Sequence, residues 1–447
     1  MPATSPLRVG PGPPLAGRVL PPGDKSITHR AYILGLLAEG DTVVQGPNPG
    51  ADCRATLRCV EALGAEVRAG EGTVRLHGTG GRLAEPGSVL DCGNSGTTLR
   101  LLAGVLAAQP FEATLTGDAS LCRRPVDRII TPLRAMGASL SGREGDRLPP
   151  LVVRGGPLKG ICFPHPTSSA QVASAILLAG VQARGSTAIR TSWGVRDHTS
   201  RMLRQFGVPV EEQLPPGGAG LVSVAGPALL RGCSLRVPGD FSAAAFFLAA
   251  AAACPGARVT VSGVGLNDSR IQLLDTLKQM GAVVEVGPIA LDDGEPVGEV
   301  TVTGPEELRP SDIIPRQVVL LLDEIPAWAV VASAARGTSR LRGAGEVRLK
   351  ESDRLHALAE GLGVLGVRVE EFPDGLDIHG GPVGGGLVRA HGDHRIAMAF
   401  AVLGTRASGL VTVDDTACVA TSYPGFLDDL RSLGGVVGER PASGGEA

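Results

Sequence analysis

Six segments of the chain share one pattern of hydrophobic and polar positions. Each is an amphipathic run that ends in an apolar residue followed by glycine, and each continues into a stretch with β-forming residues. This pattern predicts a helix that ends at a glycine in the left-handed conformation and leads into a strand. The six glycines are Gly64, Gly137, Gly207, Gly281, Gly366 and Gly434.

A second helix precedes each of these runs, and it is apolar on all sides. Apolar residues around the whole circumference are typical of a helix buried inside a domain. Six repeats of two helices and several short strands predict an α/β protein. Because 447 residues are too many for one core, three repeats in each of two domains is the simplest division. The buried helices begin near Ser26, Thr97, Ser169, Ser242, Pro326 and His394.

The frame Pro-Gly-Asp-x-Ser occurs twice, ending at Ser26 and at Ser242, each time at the start of a buried helix. At the same offsets from the start of the frame, the second copy has phenylalanines and alanines, whereas the first has Lys25 and Arg30. We interpret the frame as a duplicated turn and helix start, with the cations of the first copy added for function. The second copy marks a crossover between the domains.

Composition excludes several classes of protein. The net charge of -3 argues against a broad nucleic-acid face, which needs a basic stripe, and the most apolar stretch, 241–254, is shorter than the roughly 20 residues that span a membrane. The N-terminal residues do not predict a signal peptide. Eight cysteines without metal-binding spacing predict buried thiols in a reducing cytoplasm. His391 and His394 lack further ligands nearby, so no metal is expected.

Lysine is rare, which draws attention to the lysines that remain. Of 42 basic residues four are Lys, and the other 38 are Arg. A lysine in such a chain is a candidate for work that Arg cannot do, as a compact charge or as a group that loses its proton. Lys25 and Lys350 lie beside other unusual residues, whereas chance explains Lys159 and Lys278.

Cations and glycines gather at helix starts, where free N–H groups and the helix dipole favour anions. In "GNSGTT" the glycines allow a close approach of a ligand, and Thr97 or Thr98 is expected to cap the helix. In "RRPVDR", Pro125 is expected to start a helix after Arg124. Tight turns and solvated loops remain alternatives for these segments.

Three segments in the second half carry candidate acids and bases. Asp323 lies in an apolar setting that favours a raised pKa and suits a general base, with a structural cap or ion pair as the alternative. In "KESDR", Glu351 is a second candidate acid, and Ser352 or Asp353 is expected to cap the next helix. In "HGDHR", His394 and Arg395 predict an anion clamp.

Seven motifs occur in order between residues 22 and 434: "GDKSITHR", "GNSGTT", "RRPVDR", "SAQVASAILLAG", "DEIP", "KESDRL" and "DHRIAMAF". Together they resemble the EPSP synthase family. The resemblance implies the two-domain enolpyruvyl transferase fold, an inside-out α/β barrel in which each domain has three βαβαββ units around buried helices. It implies one domain of residues 1–22 with 239–447, a second of 23–238, and an active site in the cleft between them.

The resemblance also implies the reaction. The 5-hydroxyl of shikimate 3-phosphate attacks C2 of phosphoenolpyruvate, C3 gains a proton, and the tetrahedral intermediate loses phosphate. The implied setting is aromatic amino acid biosynthesis in the cytoplasm, in a monomer that needs no cofactor and that glyphosate inhibits.

Site residues follow from the matching motifs. Contacts to shikimate 3-phosphate are implied for Lys25, Ser26, Arg30, Ser169, Gln171, Arg196, Asp323 and Lys350. Contacts to phosphoenolpyruvate are implied for Lys25, Gly96, Arg124, Gln171, Arg354, His394 and Arg395. Asp323 is implied as the base for the 5-hydroxyl, assisted by Lys350, and Glu351 as the proton-transfer partner at C3.

One departure from the family and two alternatives matter. Thr421 stands where many relatives have a lysine, so one phosphate contact is missing or replaced. The sister family, UDP-N-acetylglucosamine enolpyruvyl transferase, has a loop cysteine at the position of Ala119 and an asparagine at that of Ser26. A non-catalytic anion-binding relative is disfavoured because Lys25 and Lys350 are present together with both candidate carboxylates.

Overall fold

The computed structural model describes residues 6–164, 169–213 and 218–439. The chain forms two compact units. Unit 1 comprises Met1–Pro22, Pro238–Leu291 and Pro296–Ala447, and unit 2 comprises Gly23–Val237 and Asp292–Glu295. Each unit is a mixed α/β structure with its own hydrophobic core.

The helices of the described residues alternate between buried and amphipathic types. The α-helices are α1 (Lys25–Leu37), α2 (Ala51–Ala62), α3 (Gly96–Leu106), α4 (Asp127–Met136), α5 (Arg143–Asp146, a distorted single turn), α6 (Ala170–Gly180), α7 (His198–Gln205), α8 (Phe241–Ala252), α9 (Gln272–Met280), α10 (Pro315–Leu321), α11 (Ile325–Ala334), α12 (Arg354–Val364), α13 (His394–Gly404) and α14 (Phe426–Ser432). Short 3₁₀ helices lie at Leu121–Arg123, Gly345–Leu349 and Ala417–Thr421.

The strands are short, as a repeat protein with small sheets requires. They are β1 (Leu7–Gly10), β2 (Ala16–Val19), β3 (Asp41–Gln45), β4 (Glu66–Gly70), β5 (Thr73–His77), β6 (Leu90–Asp91), β7 (Glu112–Thr116), β8 (Ser139–Gly142), β9 (Leu148–Arg154), β10 (Cys162–Pro164), β11 (Gly185–Thr191), β12 (Val210–Gln213), β13 (Gly220–Gly226), β14 (Ser234–Arg236), β15 (Arg258–Gly265), β16 (Val283–Val286), β17 (Ala290–Asp292), β18 (Glu295–Thr303), β19 (Asp312–Ile313), β20 (Thr338–Leu341), β21 (Arg368–Phe372), β22 (Gly375–His379), β23 (Gly386–Val388), β24 (Val411–Val413) and β25 (Val436–Glu439).

The sheets show the sixfold repetition directly. Unit 1 has the strand orders β23-β24-β1-β25, β2-β15-β18-β16 and β19-β20-β22-β21, and β17 also pairs with β18. Unit 2 has β14-β3-β5-β4, β6-β7-β9-β8 and β10-β11-β13-β12. In every sheet the first pair is parallel and the next two pairs are antiparallel. Six sheets of one pattern confirm the predicted repeats.

Three nearly fully buried helices form the centre of each unit. They are α1, α3 and α6 in unit 2, and α8, α11 and α13 in unit 1. All twelve residues of α8 are buried, because alanine and phenylalanine cover its whole circumference. The starts of all six helices lie within one residue of the positions predicted from the sequence. All six glycines predicted to follow helices have positive φ angles, between 83° and 114°.

Local details differ from two sequence predictions about helix starts. Ser95, rather than Thr97 or Thr98, caps α3, because its hydroxyl accepts the backbone N–H of Thr98. Pro125 does not start a helix, since α4 begins at Asp127.

The cysteines are free thiols, as expected, but only Cys53, Cys59 and Cys92 are buried, and Cys162 is exposed. Among the described residues no single helix is long and apolar enough to cross a membrane. The pair α10 and α11 together pass that test by length and composition, with a bend of 114°.

Candidate functional site

The start of α1 carries the first group of predicted site residues in unit 2. Asp24 caps the helix, because its carboxylate accepts the backbone N–H of Ile27 at 2.8 Å. Lys25 forms an ion pair with Asp52 of α2, with 2.9 Å between Nζ and Oδ2. The pair is largely buried, with 14% of the Lys25 side chain and 6% of the Asp52 side chain exposed. Asp52 therefore holds the ammonium group in place and offsets part of the cost of burying it.

Arg30 is buried one turn further along α1. Its Nε donates to Thr199 Oγ1 at 2.7 Å, and its Nη2 donates to Ser174 Oγ at 2.8 Å. Its Nη1 donates to the carbonyl oxygen of Ser26 at 2.8 Å. These three hydrogen bonds to neutral oxygens fix the orientation of the guanidinium, a group suited to binding an anion.

A pocket in unit 2 brings Arg196 near this group. Arg196, Ser174 and Thr199 all line the pocket, together with apolar residues that include Leu177 and Val222. The two hydroxyls that orient Arg30 thus border the same pocket as Arg196. Ser169 lies at the start of α6, where its hydroxyl accepts the N–H of the third residue of the helix at 3.5 Å.

Arg100 links three of the predicted segments in unit 2. Its Nη1 donates to Gln171 Oε1 at 2.8 Å, and its Nη2 donates to the carbonyl oxygen of Pro125 at 2.9 Å. Gln171 in turn donates through Nε2 to Thr97 Oγ1 at 2.9 Å. At Gly96 an added Cβ would lie 2.5 Å from Arg100 Nη1, so glycine leaves the space that this guanidinium occupies.

Arg124 is held beside the same turn. Its Nη1 donates to the carbonyl oxygen of Asn94 at 3.0 Å, and its Nη2 donates to Asn94 Oδ1 at 2.6 Å and to Ser120 Oγ at 3.0 Å. Arg124 is 6% exposed, and a Cβ at Gly96 would lie 3.7 Å from its Nη1. The structure therefore brings Gly96, Arg124 and Gln171 together, as the prediction of a shared binding site requires.

Arg354 is the centre of the second group, in unit 1. This guanidinium is 1% exposed, and its Nε donates to Asp393 Oδ2 at 2.7 Å. Its Nη2 donates to Glu351 Oε2 at 2.6 Å. Its Nη1 lies 3.8 Å from Asp323 Oδ1 and makes no hydrogen bond within the described residues. A buried guanidinium nitrogen that lacks an acceptor is a candidate contact for a substrate anion.

Arg395 completes the group at the start of α13. Its Nη1 donates to the carbonyl oxygen of Asp323 at 3.0 Å, and its Nη2 lies 3.9 Å from Asp323 Oδ2. The backbone N–H of Arg395 donates to Asp393, which caps the helix. His394 is 1% exposed, with its Nδ1 3.9 Å from Asp393 Oδ1.

Charges in this second group shift the pKa values of its members. Burial pushes the pKa of Asp393 upward, but the charge of Arg354 outweighs it and holds that pKa below its usual range. Burial lowers the pKa of Lys350, although Asp323 opposes the shift. Burial also acts to lower the pKa of Arg354, and the carboxylates of Asp393 and Glu351 more than reverse it. The group thus combines permanent cations with an amine that loses its proton more readily than an exposed lysine.

Sequence reasoning assigned no role to three residues that hold predicted site residues in place. Asp52 and Asp393 lie 27 and 39 residues from Lys25 and Arg354, the cations that they pair with, and no local signal connects them. Arg100 did carry a signal, because it is the one charged residue in the apolar helix α3 and lies one turn after Gly96.

Comparisons with known proteins agree with this fold. An EPSP synthase from Acinetobacter baumannii is 40% identical, with a TM-score of 0.85 over 98% of this chain and 100% of that one. The enolpyruvyl transferase NikO from Streptomyces tendae is 19% identical, with a TM-score of 0.79 over 99% of this chain and 100% of that one. The fold is therefore that of the enolpyruvyl transferases.

Sequence comparison narrows this class. The family model described as EPSP synthase (3-phosphoshikimate 1-carboxyvinyltransferase) matches residues 9–430. A protein of Anaeromyxobacter sp. (strain K) named 3-phosphoshikimate 1-carboxyvinyltransferase is 50% identical over 448 aligned positions, covering 100% of this chain and 99% of that protein. A protein of the same name from Geobacillus kaustophilus is 47% identical, and the alignment covers 94% of this chain and 98% of that protein. The chain belongs to the EPSP synthase family, a family of transferases, which confirms the resemblance read from the seven motifs.

Proposed function

We propose that this chain transfers the enolpyruvyl group of phosphoenolpyruvate to the 5-hydroxyl of shikimate 3-phosphate and releases phosphate. The observation that carries the proposal is the buried Arg354, which contacts Glu351 and lies 3.8 Å from Asp323. A fixed cation beside two candidate proton carriers suits a reaction in which a proton is added and removed while an anion departs.

Substrate contacts are assigned residue by residue from the matching motifs. The proposed ring contacts are Lys25, Ser26, Arg30, Ser169, Gln171, Arg196, Asp323 and Lys350. The proposed phosphoenolpyruvate contacts are Lys25, Gly96, Arg124, Gln171, Arg354, His394 and Arg395.

The chemistry proceeds by addition and then elimination. Asp323, assisted by Lys350, accepts the proton of the 5-hydroxyl, and the oxygen of that hydroxyl forms a bond to C2 of phosphoenolpyruvate. C3 takes a proton from Glu351, which gives a tetrahedral intermediate. C3 then returns a proton to Glu351, the released electron pair forms the new double bond, and the bond from C2 to the phosphate oxygen breaks. The hydroxyl proton leaves with the phosphate, so atoms and charge balance.

Phosphate release from phosphoenolpyruvate tests the proposal. The purified protein is assayed with shikimate 3-phosphate or with UDP-N-acetylglucosamine, and Asp323→Ala is compared with the unchanged chain. Release with shikimate 3-phosphate alone, lowered by at least about a hundredfold in Asp323→Ala, is expected for a lost general base. Release with the nucleotide sugar would assign the sister reaction instead. No release with either substrate would contradict the proposal.

Inhibition by glyphosate is a further part of the proposal. The lack of a side chain at Gly96 supports it, because Arg100 and Arg124 both come within 4 Å of the position of a Cβ there and a compact anion requires close approach to these cations. Initial rates are measured with either substrate varied. Competition against phosphoenolpyruvate, and none against shikimate 3-phosphate, is expected; unchanged turnover at low phosphoenolpyruvate and high glyphosate would contradict it.

The assembly state and the location complete the proposal. We expect a monomer of 45.6 kDa in the cytoplasm, where the substrates of a biosynthetic transferase are made. Light scattering coupled to gel filtration measures the mass in solution, and a mass of twice that value would contradict the expectation.

A further inference from the structure

A chain of buried hydrogen bonds crosses unit 2 from α1 to α3 through α2. His29 Nδ1 lies 2.6 Å from Thr56 Oγ1, and Thr56 Oγ1 lies 2.5 Å from Thr98 Oγ1. Thr98 Oγ1 donates to Ser95 Oγ at 2.7 Å. His29, Thr56 and Thr98 are fully buried and Ser95 is 1% exposed, so these groups depend on one another for hydrogen bonding.

The direction of these bonds follows from the ends of the chain. Nε2 of His29 makes no hydrogen bond within the described residues. A buried N–H without an acceptor is costly, so the proton of the neutral ring belongs on Nδ1, where it is donated to Thr56. Thr98 donates to Ser95, so Thr56 donates to Thr98 at 2.5 Å in preference to the carbonyl oxygen of Asp52 at 3.4 Å. Thr56 and Thr98 each accept one bond and donate the next, an arrangement that strengthens the whole chain.

The ring of His29 stays neutral in these surroundings. Burial lowers its pKa well below the usual value, and the charges of Lys25 and Arg30 lower it further, although Asp24 opposes them. A neutral imidazole can be buried near these two cations without adding a third positive charge.

The two ends of the chain lie beside proposed binding residues. His29 directly precedes Arg30 and lies one turn after Lys25, at the start of α1. Ser95 directly precedes Gly96, and its hydroxyl also accepts the backbone N–H of Thr98 at 3.0 Å. The hydrogen bonds therefore tie the cap of α3 to His29 on α1.

We propose that His29, Thr56 and Thr98 form a positioning relay, which holds the turn at Gly96 at a fixed place relative to Lys25 and Arg30. These three residues do not touch the substrates; they act through the starts of α1 and α3. The inference rests on the proposed function, because its kinetic consequence is a selective loss of phosphoenolpyruvate binding. Arg30 keeps its own contacts to Thr199 and Ser174, so binding of shikimate 3-phosphate should change little.

The decisive variant is Thr56→Val, which keeps the shape of the side chain and removes the hydroxyl. Thr56→Ser is the matched control, because it keeps the hydroxyl and removes a methyl group. For Thr56→Val we expect the KM for phosphoenolpyruvate to rise at least about fivefold, with the KM for shikimate 3-phosphate within about twofold of the original, as loss of about one hydrogen bond predicts. Thr56→Ser should stay within about twofold for both substrates.

The position of the imidazole proton supplies a readout that does not depend on turnover. Nitrogen NMR of protein labelled at histidine should show His29 protonated at Nδ1, with its signal identified by its absence in His29→Gln. In Thr56→Val the Nδ1 signal should move, since its acceptor is gone. If Thr56→Val does not fold, Thr98→Val interrupts the relay at its other end while the backbone N–H of Thr98 still bonds to Ser95.

Each outcome decides the proposal. Equal KM values in Thr56→Val and the original chain, or equal damage in Thr56→Ser and Thr56→Val, would overturn the relay. A His29 proton found on Nε2 would overturn it as well. Failure of the proposed function is distinguishable, because the unchanged chain would then release no phosphate, whatever the NMR signals show.

Discussion

Individual cations of the candidate site are each held by named partners. Asp52 holds Lys25, neutral oxygens hold Arg30 and Arg124, and carboxylates hold Arg354. Cations fixed in this way need little reorganisation when an anion binds, which is the main source of electrostatic catalysis. The site is therefore sensitive to small changes in the groups that hold these cations.

Gly96→Ala is expected to weaken phosphoenolpyruvate binding through a neighbour. The new Cβ would lie 2.5 Å from Arg100 Nη1, so Arg100 must move and its bond to Gln171 weakens. We expect a KM for phosphoenolpyruvate raised about fivefold to tenfold, as weakening of one charge-assisted hydrogen bond by about 1 kcal/mol predicts, and weaker inhibition by glyphosate. Initial-rate kinetics measure both. Gly363→Ala is the control, because a Cβ there meets nothing within 4 Å; equal kinetics in the two variants would contradict the prediction.

Lys350→Arg is expected to change the alkaline side of the pH–rate profile. Burial lowers the pKa of Lys350, so its ammonium group loses its proton, and activity falls, at a lower pH than for an exposed lysine. Arginine stays charged over the whole range, so the alkaline limb of kcat/KM should move to higher pH in the variant. Lys278→Arg, at an exposed position, should leave the profile unchanged. An alkaline limb at the same pH in all three proteins would show that Lys350 does not set it.

Unusual residue types in the local sequence identified the predicted site residues, but the local sequence did not identify the residues that pair with them. Asp323 stood out as a charge in an apolar run, and Lys350 as one of four lysines. The carboxylate of Asp393 pairs with Arg354 across 39 residues, and only the fold brings them together. Which hydroxyl caps α3 depended on the backbone angles at Ser95, which residue type alone does not fix.

Helix starts are the elements that the candidate site is built on. Side-chain caps begin α1, α3, α6, α8 and α13, whereas α11 begins with a proline in its first turn. The second Pro-Gly-Asp copy is less apolar than its phenylalanines suggest. Asp240 pairs with the buried Arg270 at 3.3 Å, and Ser242 donates to Glu324. The frame is thus a capped helix start in both copies, with different partners.

Asp353→Ala is expected to loosen the start of α12, which carries Arg354. Asp353 accepts the backbone N–H of His356 at 3.1 Å, and removal of such a cap costs about 1 kcal/mol. The free energy of unfolding should fall by that amount in urea titrations, and the KM for phosphoenolpyruvate should rise. Asp353→Asn removes the charge that pairs with Arg348 but keeps the cap, so it separates the contributions of the ion pair and the cap. Equal losses in the two variants would assign the effect to the ion pair.

At the scale of the whole molecule, repetition was predictable and strand pairing was not. The six glycines with positive φ and the six apolar helices follow from local composition. The pairing of β1 with β24 and β25 joins residues more than 400 positions apart, and nothing in the four residues of β1 specifies those partners. The sequence also did not predict that the four residues Asp292–Glu295 belong to unit 2, because the chain segments on both sides of them belong to unit 1.

Arg354→Met is expected to destabilise unit 1 in a pH-dependent way. Asp393 is fully buried, so loss of its partner should lower the free energy of unfolding by about 3–5 kcal/mol at pH 7. In the unchanged chain the lowered pKa of Asp393 stabilises the fold above about pH 4, and that contribution is lost as the pH falls through the folded pKa. In the variant burial raises this pKa, so the difference between the two proteins should shrink on acidification.

Urea titrations at pH 7, 5 and 4 measure this difference. Trp328 is the one tryptophan of unit 1, so its fluorescence reports on that unit in a Trp193→Phe background. The control is Arg336→Met, which removes an exposed ion pair with Glu307 and should cost less than about 1 kcal/mol. A difference between Arg354→Met and the unchanged chain that stays constant with pH would contradict the role of Asp393.

The position of β1 in its sheet has a consequence for protein synthesis. β1 lies between β24 and β25, whose residues leave the ribosome more than 400 positions after those of β1. Residues 23–237 of unit 2 form one continuous stretch that can fold while the rest of the chain is still being translated. During that time β1 has no neighbouring strand on either edge, so chaperones and other nascent chains can bind to it.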